Sequence, residues 1–377
     1  MKHDLLPYRY FLSTPAEKQW RRIGVRRRAG VIAPLFSLHS SRSAGIGELS
    51  DLKLLADWCR RTGLSIIQLL PLQDMGFEFR PYDADSSFAL DPVYLSMGEL
   101  IGVSRKAATA GLKDLKRRFQ TGRSEVDYAI KGAKLELLWK LFSRCASPDD
   151  PRFQTFCEEQ GYWLNDYALY KVFRDRFAER RWDYWPLAVR SRQAATLKRL
   201  ASANAGAVRF QKWLQWQLYE QMREVKSYVN RQGVYLLGDL PFLVSRHSAD
   251  VWGLKQYFKL DLSAGAPPDN FLGKGQRWGM PPYHWRRVAS DGYEYHLRKL
   301  RYAQNFYDLF RIDHAVAIPD FSLTESRRAS FKNRTTNFWT ICAINHPTNK
   351  IMITLISIGT KLANLLIIMS TGPKMAC

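Results

Sequence analysis

Leu309–His314 reads LFRIDH, and this hexapeptide decides the fold class. Leu309, Phe310 and Ile312 are apolar, Arg311 is a cation, and Asp313 follows directly. A buried strand that stops at an acid presents that acid at its C-terminal end, where (β/α) barrels carry their chemistry. Strand side chains alternate with period 2, so Arg311 and Asp313 share a face. A guanidinium beside a carboxylate favours the ionised form, as a nucleophilic acid requires. An isolated R-x-D is also an ordinary strand-end ion pair, so the decision rests on the sequence around it.

Upstream, Gly233–Val244 (GVYLLGDLPFLV) reads as a buried strand over Val234–Leu237 that delivers Asp239 at its end. The segment before it, Phe210–Asn230, has helical spacing, with Trp213, Leu214, Leu218, Met222 and Val225 on one face. Near the start, Gly30–Leu38 (GVIAPLFSL) reads as a first strand and its following loop. Glu48–Thr62 reads as a helix with Ser50 as N-cap and Gly63 as its stop; Ser65–Leu70 (SIIQLL) is a buried strand ending at Pro71. Strand, helix, strand in that order is a βαβ unit and points to a parallel sheet. The fold expected from this order is α/β, with a parallel sheet that carries its chemistry at the strand ends.

Between these strands lie two unusual stretches. Gln73–Tyr94 is a long polar loop, and a loop of that length after a barrel strand is usually functional. Tyr82 can stack on a sugar face; Asp83 can bind hydroxyls or fix the loop by turn chemistry. Residues 95–206 are mostly helical by pattern and dense in charge, as in Lys131–Phe142 and Tyr167–Arg180, and read as a helical insertion. Ala264–Tyr283 is rich in Gly and Pro and carries Asp269 and Trp278. Such a loop can fold over a groove and offer an indole to a sugar ring, or simply bury a Trp beneath it.

Composition narrows the function classes. The chain has 377 residues, 46% of them apolar, and 12 Trp, enough for a large folded core. A formal charge of +22 would attract nucleic acid or anionic surfaces. The cations are scattered, however, with neither a single basic stripe nor zinc-ligand spacing, so no specific nucleic-acid partner and no metal are expected. Five cysteines, Cys59, Cys145, Cys157, Cys342 and Cys377, are odd in number and widely spaced, which argues for free thiols in a reducing compartment. MKHDLLPYRYFL lacks the apolar core of a signal peptide, so a cytoplasmic location is expected.

Taken in order, AGVIAPLFSL, GIGEL, IIQLLPL, the PY…SFALDPVYL loop, GDLPFLV, SADVW, GAPPD, GQRWG and FRIDH resemble the 4-α-glucanotransferases of glycoside hydrolase family 77, the amylomaltases. The resemblance runs from Gly30 through His314. It implies an α/β fold of the (β/α)8 barrel type, with its first four strands recognisable here, and a cofactor-free, retaining transferase that moves α-1,4-glucan segments to glucose or maltooligosaccharide acceptors. Matched position by position, Asp313 would be the nucleophile and Arg311 would hold it ionised. Asp239 and His314 would support the sugar site, and Tyr82, with Asp83 beside it, would lie against the ring at the cleaved bond. Asp269 and Trp278 would lie in the loop over the acceptor groove, where Asn270 stands in place of the Tyr found in many members.

Retention needs a second carboxyl group about 5–5.5 Å from the nucleophile as acid/base. The family places it on a Glu tens of residues further on, and the acids after Asp313 are Asp320 and Glu325, neither in a family-like motif. The acid/base is therefore unassigned. Residues 321–377 carry seven Lys and Arg against one Glu, are rich in Ile, Thr and Asn, and read as a tail foreign to the family, as a disrupted reading frame would produce. The expected division is 1–94 for the first part of the barrel, 95–206 for the insertion, 207–320 for the nucleophile part and 321–377 for the tail. Residues 314–377 are too few for four more βα units at roughly 30 residues each, so an incomplete barrel with exposed strand edges is expected. Ile351–Met369 approaches a bilayer-spanning length, but Lys361 and internal Gly and Asn oppose that reading, leaving no membrane partner. Two further classes stand beside the transferase: a non-catalytic α-glucan-binding remnant using Tyr82 and Trp278, and a basic nucleic-acid binder.

Overall fold

The computed structural model describes residues 10–13, 17–122, 125–144, 150–178, 181–266, 274–313, 342–346, 349–357 and 364–371. Among these the strands are β1 (Gly30–Ile32), β2 (Ile66–Gln68), β3 (Tyr235–Leu240), β4 (Gly265–Ala266), β5 (Gln276–Arg277), β6 (Leu309–Asp313), β7 (Cys342–His346), β8 (Asn349–Ser357) and β9 (Asn364–Thr371). One sheet has the order β1-β2-β3-β6-β9-β8-β7, and β4 and β5 form a separate antiparallel hairpin. The pairs β1–β2, β2–β3 and β3–β6 are parallel and follow chain order. Parallel strands that pair in sequence without a reversal are the arrangement of a barrel wall rather than of a doubly wound sheet.

The helices between strands form where the apolar spacing demands them. Asp51–Thr62 connects β1 to β2, buries Leu52, Ala56 and Cys59, and stops at Gly63, whose φ of 76° suits a residue without Cβ. Ser50 does not cap it by its side chain. Instead Asp51 Oδ2 accepts from Glu48 N–H and from Ser43 Oγ, both at 2.8 Å, and Ser50 N–H donates to Ser96 Oγ. The helix before β3 runs Ala205–Arg231, longer than its apolar stripe suggested, and all five expected face residues are buried. It also buries Gln215, Gln217 and Gln221, whose amides clamp the backbones of Leu90, Ile101 and Ser96. Those three clamps lie outside any hydrophobic pattern.

The two faces of the wall are chemically distinct. Leu236 and Phe310 point to the large core shared with the helices, whereas Leu237 and Leu309, paired in register, meet Trp20 and Ile23 of the helix Glu17–Ile23. Two residues further along each strand, on that same face, come Asp239 and Arg311. Each inner face thus starts apolar and ends polar.

Two expectations change. β3 begins at Tyr235 and continues through Asp239 to Leu240, so Asp239 lies within the strand and not after it. The free edge of β6, expected to stay exposed, is paired with β9 in antiparallel fashion, with Arg311 opposite Leu366 and Asp313 opposite Asn364. Ile351–Met369 is divided between β8 and β9, which pair with each other. Among the described residues no helix is long and apolar enough to cross a membrane.

Candidate active site

Parallel register does the first part of the assembly. Asp239 of β3 is the partner of Arg311 on β6, so their side chains leave the sheet together. Arg311 then bridges two acids: one guanidinium nitrogen donates to Asp239 Oδ2 at 2.5 Å, the other to Asp313 Oδ1 at 2.7 Å. Tyr82, from the long loop after β2, donates its hydroxyl to the same Asp239 Oδ2 at 2.8 Å. The Asp239 side chain is fully buried, while Arg311 and Asp313 retain 20% and 33% exposure, so the cluster opens to solvent at Asp313.

Burial pushes the Asp239 carboxyl up to about 6 even though Arg311 and the Tyr82 hydroxyl oppose the shift. Desolvation wins because Oδ2 carries both partners, and Oδ1 is buried with no hydrogen-bond partner among the described residues. Burial lowers Arg311, but Asp239 and Asp313 outweigh it and leave the guanidinium more firmly protonated than usual. The Tyr82 hydroxyl is pushed up, first by burial and then by Asp239, so it acts as a donor throughout the physiological range.

The loop that brings Tyr82 in is held by a second charged cluster that sequence reading missed. Lys131 Nζ donates to Asp74 Oδ1 at 2.6 Å and to Asp91 Oδ2 at 2.8 Å, and Lys171 Nζ donates to Asp74 Oδ2 at 2.7 Å. Arg174 pairs with Asp85, and the Tyr167 and Tyr128 hydroxyls complete Asp74 and Asp91. The three acids all belong to the loop Gln73–Tyr94; the three cations come from the helices Ile130–Arg144 and Gly161–Phe177. Burial raises Asp74, but Lys131, Lys171 and Arg174 overcome it and hold the carboxyl well below the ordinary range. A faint signal did exist in the sequence: Lys131 and Lys134 sit three apart on the face that carries Ile130, Ala133 and Leu138, where a solvated lysine has no place.

The remaining expected site residues stand elsewhere. Asp83 faces Arg80, with its N–H on Arg80 O at 2.9 Å and an ion pair at 3.8 Å, contacts that suit the turn role. Trp278 follows β5, donates its indole N–H to Gln276 Oε1 at 3.0 Å, and is half-buried against the main core. Asp269 and His314 lie outside the described residues, as do Asp320 and Glu325. Among the described residues no group of three His, Cys, Asp or Glu could hold a metal ion. Cys59 and Cys157 are free thiols.

An acid shared by arginine at the C-terminal end of one parallel strand, beside a second acid on its neighbour, is an arrangement fit for charge-stabilised covalent chemistry. Comparison with known proteins names the lineage. Residues 33–336 match the model of glycoside hydrolase family 77, described as 4-alpha-glucanotransferase. The chain belongs to this family. The matched span holds Tyr82, Asp239, Arg311 and Asp313 and extends beyond His314, where the quoted motifs end. The 4-alpha-glucanotransferase of Chlamydia caviae is 35% identical over 313 residues, covering 81% of this chain and 58% of the relative. That of Thermus thermophilus is 34% identical over 257 residues, covering 66% and 50%. The chain thus spans about three fifths, or less, of the length of the curated relatives it matches. The amylomaltase of Streptococcus agalactiae, solved in complex with acarbose, is 26% identical with a TM-score of 0.68, over 77% of this chain and 59% of that one. The amylomaltase of Corynebacterium glutamicum, at 20% identity and a TM-score of 0.67, covers 95% and 46% and shares the fold.

Proposed function

We propose that this chain carries the nucleophile side of a retaining α-1,4-glucan transferase site. The observation that carries the reading is the Tyr82–Asp239–Arg311–Asp313 cluster, assembled by strand register at the C-terminal ends of β3 and β6. Asp313 attacks the anomeric carbon and forms a glycosyl ester as the glycosidic C–O bond breaks and the leaving glucan segment takes a proton from the unassigned acid/base. A hydroxyl of a maltooligosaccharide or glucose acceptor then returns a proton to that base and displaces the carboxylate. Arg311 pairs with the attacking carboxyl group through Oδ1 and so leaves Oδ2 to attack. Tyr82 and Asp239 hold the sugar ring at the cleaved bond. Asp269, Trp278 and His314 serve the acceptor and sugar contacts, and no cofactor or metal takes part. No described residue is assigned as acid/base. The barrel wall is read as the first four parallel strands of a (β/α)8 barrel, with β9 paired where another parallel strand would follow. The reading places the protein in the cytoplasm with neutral glucans as its partners.

A donor with a good leaving group needs no general acid, whereas a natural glucan does. Maltotriosyl fluoride offered to the purified chain should release fluoride and leave a glycosyl mass on the peptide that contains Asp313, both lost in Asp313→Asn. Maltotriose disproportionation, run in parallel, tests whether an acid/base is also supplied. Fluoride release equal in wild type and Asp313→Asn would overturn the nucleophile assignment and favour a chain that only binds glucan.

A further inference from the structure

A cavity of about 280 Å³ lies between the helix Gly161–Phe177, the segment Ala249–Tyr257 and the start of the helix Glu294–Ala303. None of Tyr82, Asp239, Arg311 or Asp313 lines it. We propose that it is a second saccharide site, taking the end of an α-glucan chain away from the reacting bond. The glucan class rests on the function proposed above; the site itself rests on the cavity's own chemistry.

Its lining pairs aromatic rings with fixed acceptors. Tyr162, 38% exposed, and the half-buried Tyr257 offer apolar faces, and Phe88, Trp163 and Tyr295 back them. Asp166, Asp250, Asp291 and Glu294 face the cavity with Arg298, while Arg192 on Asp166 and Arg301 on Glu294 stand behind the lining. Four acids against three cations leave the site weakly anionic, which disfavours phosphates and other anions. Ionised carboxylates only accept hydrogen bonds, so they match the hydroxyl groups of a neutral sugar, while ring faces match its C–H surface.

The acceptors are oriented in advance. Arg192 holds Asp166 Oδ1 at 2.7 Å, and a Cβ added at Gly253 would stand 2.8 Å from Oδ2, so the glycine leaves that oxygen room at the cavity wall. Arg298 Nε is fixed on Glu294 at 2.7 Å. The cavity floor also reaches the loop that carries Tyr82: Asp250 Oδ2 accepts from Ser87 N–H at 3.0 Å and from the Tyr295 hydroxyl at 2.7 Å. A sugar seated here therefore rests on a group that ties down the catalytic loop.

The test is calorimetric titration of the full chain with maltotriose, in wild type, Tyr162→Ala, Asp291→Asn and Tyr82→Ala. Two sites per chain are expected, one weakened at least about tenfold by either cavity variant and the other weakened by Tyr82→Ala alone. Asp291 is exposed, so its variant keeps the test standing should Tyr162→Ala impair folding. Wild-type stoichiometry and affinity in both cavity variants would overturn the second site and leave the proposed function intact. Binding sensitive to the cavity variants but not to Tyr82→Ala would uphold the second site and overturn the sugar role of the cluster. Choline binding that depends on Asp291, with no such maltotriose binding, would replace the saccharide by an organic cation.

Discussion

The two charged clusters of this protein are built on opposite terms. Beneath the Gln73–Tyr94 loop, Asp74, Asp85 and Asp91 meet Lys131, Lys171 and Arg174, three against three, with every side chain no more than 8% exposed. At the ends of β3 and β6, Asp239 and Asp313 share one cation, Arg311. A balanced, hydrogen-bonded network holds a loop in one place because any unpaired member would be costly to bury. An unbalanced one leaves a partly exposed acid, Asp313, short of compensating charge, the condition under which carboxyl groups acquire functional properties. The first cluster positions Tyr82 for the second.

The largest effect that separates them is on rate. Asp313→Asn should lower fluoride release from maltotriosyl fluoride by about a thousandfold or more while the urea midpoint hardly moves. A comparable loss of stability in that variant would erase the distinction. The reverse is expected beneath the loop. Lys131→Met leaves Asp74 and Asp91 buried without their shared cation and should cost about 3–5 kcal/mol in urea denaturation. A cost under about 1 kcal/mol would show that water replaces the lysine and that the network is not dry.

The next effect sharpens the contrast through pH. The Asp239 carboxyl is raised from 3.8 to about 6, so folding favours its protonated form. Its contribution, about 3 kcal/mol, is fully present below pH ~4 and is lost as the pH rises through about 6. The stability difference between wild type and Asp239→Asn, followed from pH 4 to 7, should fall across that window. Asp74, held low by its cations, works in the opposite sense: its contribution is present above the ordinary carboxylate range and is lost as the pH falls through its lowered folded pKa. A flat difference for Asp239→Asn would mean that Arg311 compensates its burial in full. The smallest effect belongs to Tyr82→Phe, which removes one donor from Asp239 and should cost about 1 kcal/mol of stability. The same change should move the Asp239 titration, followed by carboxyl carbon NMR, above about 6.

Local pattern carried much of this far. SIIQLL, GVYLLGDL and LFRIDH mark β2, β3 and β6, and the apolar stripe of Phe210–Asn230 marks the long helix, because a strand covered on both faces reads as a short apolar run and a half-buried helix repeats every 3.6 residues. The R-x-D spacing put Arg311 beside Asp313 through strand alternation alone. Local pattern misled where a partner came from far along the chain. Ser50 was passed over as a cap because Asp51 could reach Glu48 N–H and Ser43.

What the sequence by itself determined is the family, the parallel wall and the residue types at its C-terminal ends, since these depend on short-range spacing and on motifs in order. Only the tertiary structure decided that Asp239 stands in register with Arg311, that the insertion's lysines neutralise the loop's acids, and that β9 pairs along β6. Each joins residues between 40 and 97 positions apart. Such contacts depend on register, burial and desolvation, which no local pattern records.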